Sequence, residues 1–327
     1  MRAVRLHRAG GPEVLTVDDL APSGPPRGRQ VLVGVAASSV NGTDLELRRG
    51  AAGPLTWGRL PLTLGFDLSG TVLACGPQVS AFAVGEDVVG LLDHNGGAQA
   101  ETVLVDQSRL AAAPTTVALT HAAALPLAGL TALQALHTKA HLHTRPSGTR
   151  VLVIGATGGI GAYATQLAAR AGAHVSALAR RDALPVAARL GAHDLLARED
   201  GSLSEAAPFD VIVDTAGALD FDQLLQLVRP GATVVSVRPL DPHVLRATAA
   251  RALRLPVNAR GFRPTVTAVA TQARSQDLAR LARLVDTGDL HVPVQALINA
   301  DQAPQAHRLA ESPVPGKVVI TMDPALA

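Results

Sequence analysis

Arg150-Val-Leu-Val-Ile-Gly-Ala-Thr-Gly-Gly-Ile-Gly161 decides how the rest of the chain is read. Four apolar residues run straight into a glycine loop, and an apolar, small-residue stretch follows over 162–171. That order reads as a buried strand, a tight turn and the first helix of a βαβ unit. In such a turn, backbone N–H groups and a helix N-terminus can approach a pyrophosphate closely. Gly155, Gly158 and Gly161 form Gly-x-x-Gly-x-x-Gly, one residue longer than Gly-x-Gly-x-x-Gly. No Gly-Lys-Ser/Thr follows, so the loop is not a P-loop.

Downstream, the pattern stays doubly wound α/β. A second strand is expected over 174–179, a helix from about 184 to 190 stopped by Gly191, and a short strand over 194–196. Phe209-Asp-Val-Ile-Val-Asp214 reads as a buried strand with Thr215-Ala-Gly217 as its C-terminal turn. A helix over 221–228, a stop at Pro230-Gly231, a strand over 232–237, a helix over 243–254 and a closing strand over 257–262 complete the unit. Ligands in such sheets bind outside the C-terminal strand ends, which places Gly155, Ala156, Ala179, Ala216, Gly217 and Val237 on the binding edge.

The end of the second strand discriminates between nicotinamide cofactors. An acid there would bind the adenine ribose 2′-OH, whereas Leu178-Ala-Arg-Arg181 offers two guanidinium groups and no acid before Asp182. Arginine binds phosphate bidentately, so Arg180 and Arg181 favour NADP(H) over NAD(H). Arg198, after the third strand, is a weaker candidate; the alternative is that the two arginines are merely solvated residues at a helix start.

Upstream, short strands alternate with glycine turns: 14–18, 30–39, 69–75, 87–92 and 101–106. Asn41-Gly-Thr-Asp44 reads as a turn leading into a short helix that ends near Gly50. Such spacing suggests a compact, partly open barrel. A helical stretch over 122–136 is interrupted by Pro126 and Gly129. The tail contains an amphipathic helix over 275–286, strands over 292–297 and 317–321, and a short helix near 302–310. It is too small to stand alone and is expected to fold back onto the N-terminal β-rich part.

With 327 residues, two domains are expected. One cysteine, Cys75, excludes an internal disulfide and a Cys-x-x-Cys metal knuckle. Met1-Arg-Ala-Val-Arg-Leu-His7 does not read as a secretory segment and no apolar run approaches a membrane span, so a cytoplasmic location is the default expectation. The net charge is +2, with scattered arginines and 2% aromatic residues, which argues against a nucleic-acid surface. His137, His141 and His143 lie close together, but they precede the Rossmann-type strand and read as loop histidines rather than metal ligands. There is no Gly-x-Ser-x-Gly elbow. Tyr163, the only tyrosine, begins a helix and does not read as a proton donor.

Several segments carry a resemblance in order along nearly the whole chain: Val40-Asn-Gly-Thr-Asp44, Leu64-Gly-Phe-Asp-Leu-Ser-Gly70, Gly85-Glu-Asp-Val-Val-Gly90, Leu125-Pro-Leu-Ala-Gly-Leu-Thr-Ala132, the glycine loop, Phe209–Asp214 and Gly316-Lys-Val-Val-Ile320. The chain resembles the medium-chain dehydrogenase/reductase superfamily, in its zinc-free quinone-oxidoreductase branch. The resemblance implies a GroES-like β-rich barrel domain from both chain ends (1–120 and 263–327), an inserted doubly wound Rossmann domain (121–262), a cleft between them and a homodimer. It implies NADPH-dependent reduction of a quinone or an α,β-unsaturated carbonyl, with an enoyl-thioester reductase, or a cofactor-binding sensor of little turnover, as alternatives. By position, Asn41 matches the residue beside the nicotinamide and substrate, and Thr131 a residue near the nicotinamide ribose and phosphates. Gly158, Gly159, Ile160 and Gly161 match the pyrophosphate loop, and Lys317 a basic position near the C-terminus. The Cys and His zinc ligands of related enzymes and the four-cysteine lobe have no counterpart, so no zinc is expected. Glu46 and Arg198 stand where quinone reductases often carry tyrosines, which alters the packing around the cleft.

Overall fold

The computed structural model describes residues 1–51, 60–201, 203–206, 208–238, 244–246, 264–313 and 315–322. In chain order the strands are β1 (Arg2–Leu6), β2 (Leu15–Asp19), β3 (Gln30–Ser39), β4 (Leu62–Thr63), β5 (Asp67–Cys75), β6 (Asp87–Leu91), β7 (Thr102–Asp106), β8 (Leu110–Ala112), β9 (Arg150–Ile154), β10 (His174–Ala179), β11 (Asp194–Ala197), β12 (Phe209–Asp214), β13 (Val228–Ser236), β14 (Thr265–Ala268), β15 (Val294–Asn299) and β16 (Lys317–Thr321). The α-helices are α1 (Gly42–Arg49), α2 (Leu119–Ala122), α3 (Pro126–Gln134), α4 (Gly159–Arg170), α5 (Leu184–Arg189), α6 (Leu203–Ala206), α7 (Phe221–Gln226), α8 (Ser275–Asp286) and α9 (Ala303–Glu311).

The chain divides into two units, one of residues 1–130 and 273–327 and the other of residues 131–272. The second boundary falls ten residues beyond the expected 262, because β14 pairs in parallel with β13 and so belongs to the α/β unit. The first falls at 130 rather than 120.

In the α/β unit, the described strands form one sheet in the order β11-β10-β9-β12-β13-β14. All pairings within it are parallel. Val151, Leu152, Val153 and Ile154 are fully buried, as a central parallel strand covered on both faces requires. Pro230-Gly231 does not stop the chain as expected. β13 runs through it, and the pairing with β12 jumps from Phe209–Val228 to Val211–Thr233, so an irregularity absorbs the pair. The closing strand expected at 257–262 and most of the helix expected at 243–254 lie outside the described residues.

The other unit holds an antiparallel three-stranded sheet, β2-β1-β4, and a larger sheet in the order β15-β16-β3-β5-β6-β8, with β7 also on β3. Both sheets belong to the unit built from the two chain ends. β3 is long enough to serve three neighbours. Its first half pairs with β7, its last residues with β16, and its other edge with β5. α8 buries Leu278, Leu281, Ala282 and Val285, the i, i+3, i+4, i+7 stripe of an amphipathic helix. Two sequence expectations shift locally. Asn41-Gly-Thr-Asp44 is the start of α1 itself, with Asn41 as its N-cap. Gly129 lies within α3 and does not break it, while Pro126 opens that helix at a position where a missing N–H costs nothing.

Candidate active site

The glycine turn after β9 is built as its spacing suggests. Gly155 has φ +75°, and a Cβ there would lie 2.8 Å from Thr215 Oγ1 and 2.9 Å from Ala216 Cβ. A Cβ on Gly161 would lie 2.0 Å from the Gly155 carbonyl oxygen. Both positions are therefore closed to any side chain. Gly158 differs: its Cβ would meet only the Gly155 oxygen, at 3.4 Å. Gly158 is the N-cap of α4, and no side chain caps that helix. The first N–H groups of a helix, here at Gly159, Ile160 and Gly161, lack intrahelical acceptors and carry the positive end of its dipole. A twelve-residue helix begun by glycines with no side-chain cap fits a pyrophosphate. Ala156 is fully buried beneath the turn.

The neighbouring strand ends gather at the same edge of the α/β unit. Asp214 Oδ1 accepts from the N–H groups of Ala216 (3.1 Å) and Gly217 (2.7 Å), fixing the turn after β12. Thr215 Oγ1 donates to the Ile154 carbonyl at 2.7 Å and ties that turn to the end of β9. Val237 follows β13, and Arg238 comes next. A Cβ on Gly217 would lie 2.4 Å from an Arg238 guanidinium nitrogen, so Arg238 covers the Gly217 turn. Arg238 was not singled out from the sequence, although its place beside Val237 at a strand end was a usable signal. Thr131 is buried in this unit with its hydroxyl 2.7 Å from that of Thr271.

At the end of β10, Arg180 pairs with Asp182 at 3.0 Å, and Arg181 pairs with Asp200. The Arg181 backbone N–H donates to Glu199 Oε2 at 3.1 Å. Glu199 is held below the usual carboxylate range, chiefly by its own backbone N–H, with the Arg181 N–H and the Arg198 and Arg181 charges adding to it. Arg198 is exposed in the same loop.

In the unit built from the two chain ends, register rather than sequence proximity assembles a second cluster. Val319 of β16 pairs with Ser39, which brings Lys317 opposite Asn41. Ser69 of β5 pairs with Ala37, which brings Asp67 opposite Ser39. Lys317 Nζ donates to Asn41 Oδ1 and, at 3.0 Å, to the Val40 carbonyl, and it lies 3.8 Å from Asp67. Asn41 Nδ2 donates to Asp67 Oδ2 at 2.8 Å and to the Ser39 carbonyl at 3.3 Å. Asp67 also accepts from the Ser39 hydroxyl and, through Oδ1, from Leu127 N–H at 2.6 Å. Asp44 accepts from the N–H groups of Asn41 (2.9 Å) and Gly65 (2.8 Å). Burial pushes Asp44 up to about 6, against those two hydrogen bonds. Burial also lowers Lys317, with Asp67 and Asp44 opposing the shift. Lys317 is therefore an internal partner of Asn41 in this unit, only 5% exposed. Asp67 and Asp44 were not anticipated as members of the cluster. Glu46 lies exposed on α1.

Among the described residues, no group of three or more His, Cys, Asp or Glu side chains is placed to hold a metal ion. The rings of His137 and His143 stack in parallel, with centroids 3.8 Å apart. No described helix is long and apolar enough to cross a membrane.

Known proteins resemble the chain in sequence and fold. A family model described as an alcohol dehydrogenase GroES-like domain matches residues 27–115, and one described as a zinc-binding dehydrogenase matches residues 190–320. A chloroplast envelope quinone oxidoreductase homolog of Arabidopsis thaliana is 31% identical over 247 residues, covering 73% of this chain and 75% of that protein. The chain belongs to the medium-chain dehydrogenase/reductase superfamily. Within this superfamily it falls in the quinone-oxidoreductase-like branch. The mitochondrial NAD(P)H oxidoreductase RTN4IP1 of Bos taurus is 33% identical over 228 residues, covering 64% of this chain but only 58% of that protein. The solved structure of the quinone oxidoreductase from Coxiella burnetii superposes with a TM-score of 0.89 at 27% identity, covering 99% of each chain. The α/β unit is accordingly the superfamily's NAD(P)(H)-binding Rossmann fold.

Proposed function

We propose that the chain is a zinc-independent, NADPH-dependent reductase of quinones or α,β-unsaturated carbonyls. The observation that carries this reading is the glycine-started α4, with no side-chain cap, at the sheet edge that also bears Arg180 and Arg181. Gly159, Ile160 and Gly161 hold the pyrophosphate through backbone N–H groups, and Arg180 and Arg181 meet the 2′-phosphate. The bound nicotinamide supplies the hydride. The protein's share is binding, orientation and exclusion of water.

Asn41 has a narrower role than its position alone suggests. Both N–H bonds of its amide are committed, to Asp67 and to the Ser39 carbonyl, and one lone pair of Oδ1 is taken by Lys317. The second lone pair of Oδ1 faces the Asp44 backbone N–H in the capping box that starts α1. Asn41 thus has no N–H left to polarise an acceptor carbonyl, and a carboxamide N–H reaches Oδ1 only by replacing the Asp44 N–H there. Lys317 and Asp67 act through Asn41 as positioning residues. The family resemblance further suggests a homodimer joined through the Rossmann sheets.

NADPH oxidation measured with a panel of quinones, enones and enoyl thioesters tests the reading. Turnover of quinones or simple enones supports it; turnover confined to enoyl thioesters reassigns the acceptor, and binding without turnover reduces the chain to a cofactor sensor. Asn41→Ala is expected to lower kcat by about one to two orders of magnitude, as loss of a positioning contact does, with little change in NADPH affinity. An unchanged rate with several acceptors removes Asn41 from the site.

A further inference from the structure

Arg180 and Arg181 do not stand as bare cations. Three arginines and three carboxylates share this edge: Arg180, Arg181 and Arg198 with Asp182, Glu199 and Asp200. Asp182 holds the Arg180 guanidinium at 3.0 Å. Asp200 holds that of Arg181, and Glu199 holds the Arg181 backbone N–H at 3.1 Å. A 2′-phosphate is recognised by guanidinium groups together with backbone donors. Here the guanidinium and the N–H of one residue are both turned to carboxylates from a single loop, the turn that follows β11. Glu199 and Asp200 thus present to Arg181 the oxygens that a phosphate would present. Glu199 keeps its charge at neutral pH, since neighbouring N–H groups and arginines hold its carboxyl low.

A dianionic phosphate approaching Arg181 must displace Asp200 and come near Glu199, with like charges opposing it. A plain ribose has no such conflict, because its 2′-OH can donate to either carboxylate. We propose that Glu199 and Asp200 form an internal anionic clasp on Arg181, which a 2′-phosphate must open, and that these two residues set the NADPH-to-NADH ratio and admit NAD(H) as a second cofactor. This rests on the assignment of Arg180 and Arg181 to the 2′-phosphate. Arg181 is 65% and Asp200 44% exposed, so solvent screens the pair and the effect is a ratio rather than an absolute switch.

The test uses the full chain and the adenine half of the cofactor, with adenosine 2′,5′-bisphosphate and 5′-AMP titrated by calorimetry. Relief of like charge in the double variant Glu199→Gln, Asp200→Asn is expected to tighten the bisphosphate about tenfold, while 5′-AMP stays within about twofold. NADPH and NADH titrated by fluorescence should show the same change in ratio. Arg181→Ala is expected to weaken the bisphosphate about tenfold and leave 5′-AMP unchanged. If the arginine variants weaken the bisphosphate but the acid-to-amide variant fails to tighten it, the clasp is overturned and the phosphate assignment stands. If Arg180→Ala and Arg181→Ala leave both probes unaffected, the phosphate assignment falls and the clasp falls with it.

Discussion

The two units prepare for their ligands in opposite ways. The Rossmann edge works through backbone: glycines bring main-chain donors to the surface, α4 begins with no side-chain cap, and the arginines beside it are wholly or partly exposed. The Asn41 cluster works through buried side chains whose hydrogen bonds are nearly all spent on one another. The first arrangement leaves donors for a ligand, and the second spends its polar groups on itself. In the proposed reaction, the difference separates binding of a cofactor, which needs many open contacts, from orientation, which needs a contact held rigidly.

The largest effect is expected where burial makes the cluster brittle. Lys317→Met strips Asn41, Val40 and Asp67 of their cation and leaves Asp67 fully buried. Breaking a buried charge pair costs about 3–5 kcal/mol, so chemical denaturation should show a loss of that order. A loss below about 1 kcal/mol, within the range of an exposed pair, would mean that the cluster is not a closed network.

The glycine turn should respond position by position. Gly161→Ala drives a methyl group into the Gly155 carbonyl and is expected to cost about 1–3 kcal/mol, as overpacking does. Gly158→Ala meets nothing closer than 3.4 Å and should change stability by less than about 1 kcal/mol. It should still weaken NADPH, because the added methyl group stands at the start of α4. Equal stability losses at the two glycines would erase the distinction between packing and binding positions.

The smallest effect is a pH dependence. Asp44 titrates at about 6 in the fold against 3.8 for the free side chain. The folded state therefore keeps a proton that the unfolded chain has released. The associated stability is fully present below about pH 4 and is lost as pH rises through 6. Asp44→Asn does not titrate. It should be less stable than the parent protein near pH 4, by about 1–3 kcal/mol, because one of the two N–H groups at that site loses its acceptor. The gap should narrow between pH 4 and 7. A constant gap in thermal unfolding across that range would contradict the burial argument.

Much of the Rossmann unit was legible in the sequence because its rules are local. β10 and β12 were located to the residue from apolar runs ending at charged or small residues, and α8 from its apolar period. Glycine spacing announced the turn because sterics at Gly155 and Gly161 admit nothing else. Pro230-Gly231 misled, since a register irregularity lets a strand continue through a pair that ordinarily ends one. The Asn41 cluster was legible only in part. Asn41 and Lys317 were named separately through family resemblance, but their contact depends on the β3–β16 register, and that of Asp67 on the β3–β5 register. No spacing along the chain encodes either. The carboxylates facing Arg181 were hidden for the same reason: Glu199 and Asp200 come from the neighbouring parallel strand's loop.

The most direct test of the proposed chemistry follows the hydride itself. NADPH carrying deuterium at both C4 positions of the nicotinamide, supplied with a simple enone and the intact protein, should yield product with deuterium at the β-carbon, read by mass spectrometry and NMR. Reduced product without deuterium, or no NADPH oxidation with any quinone or enone, would contradict direct hydride transfer by this chain.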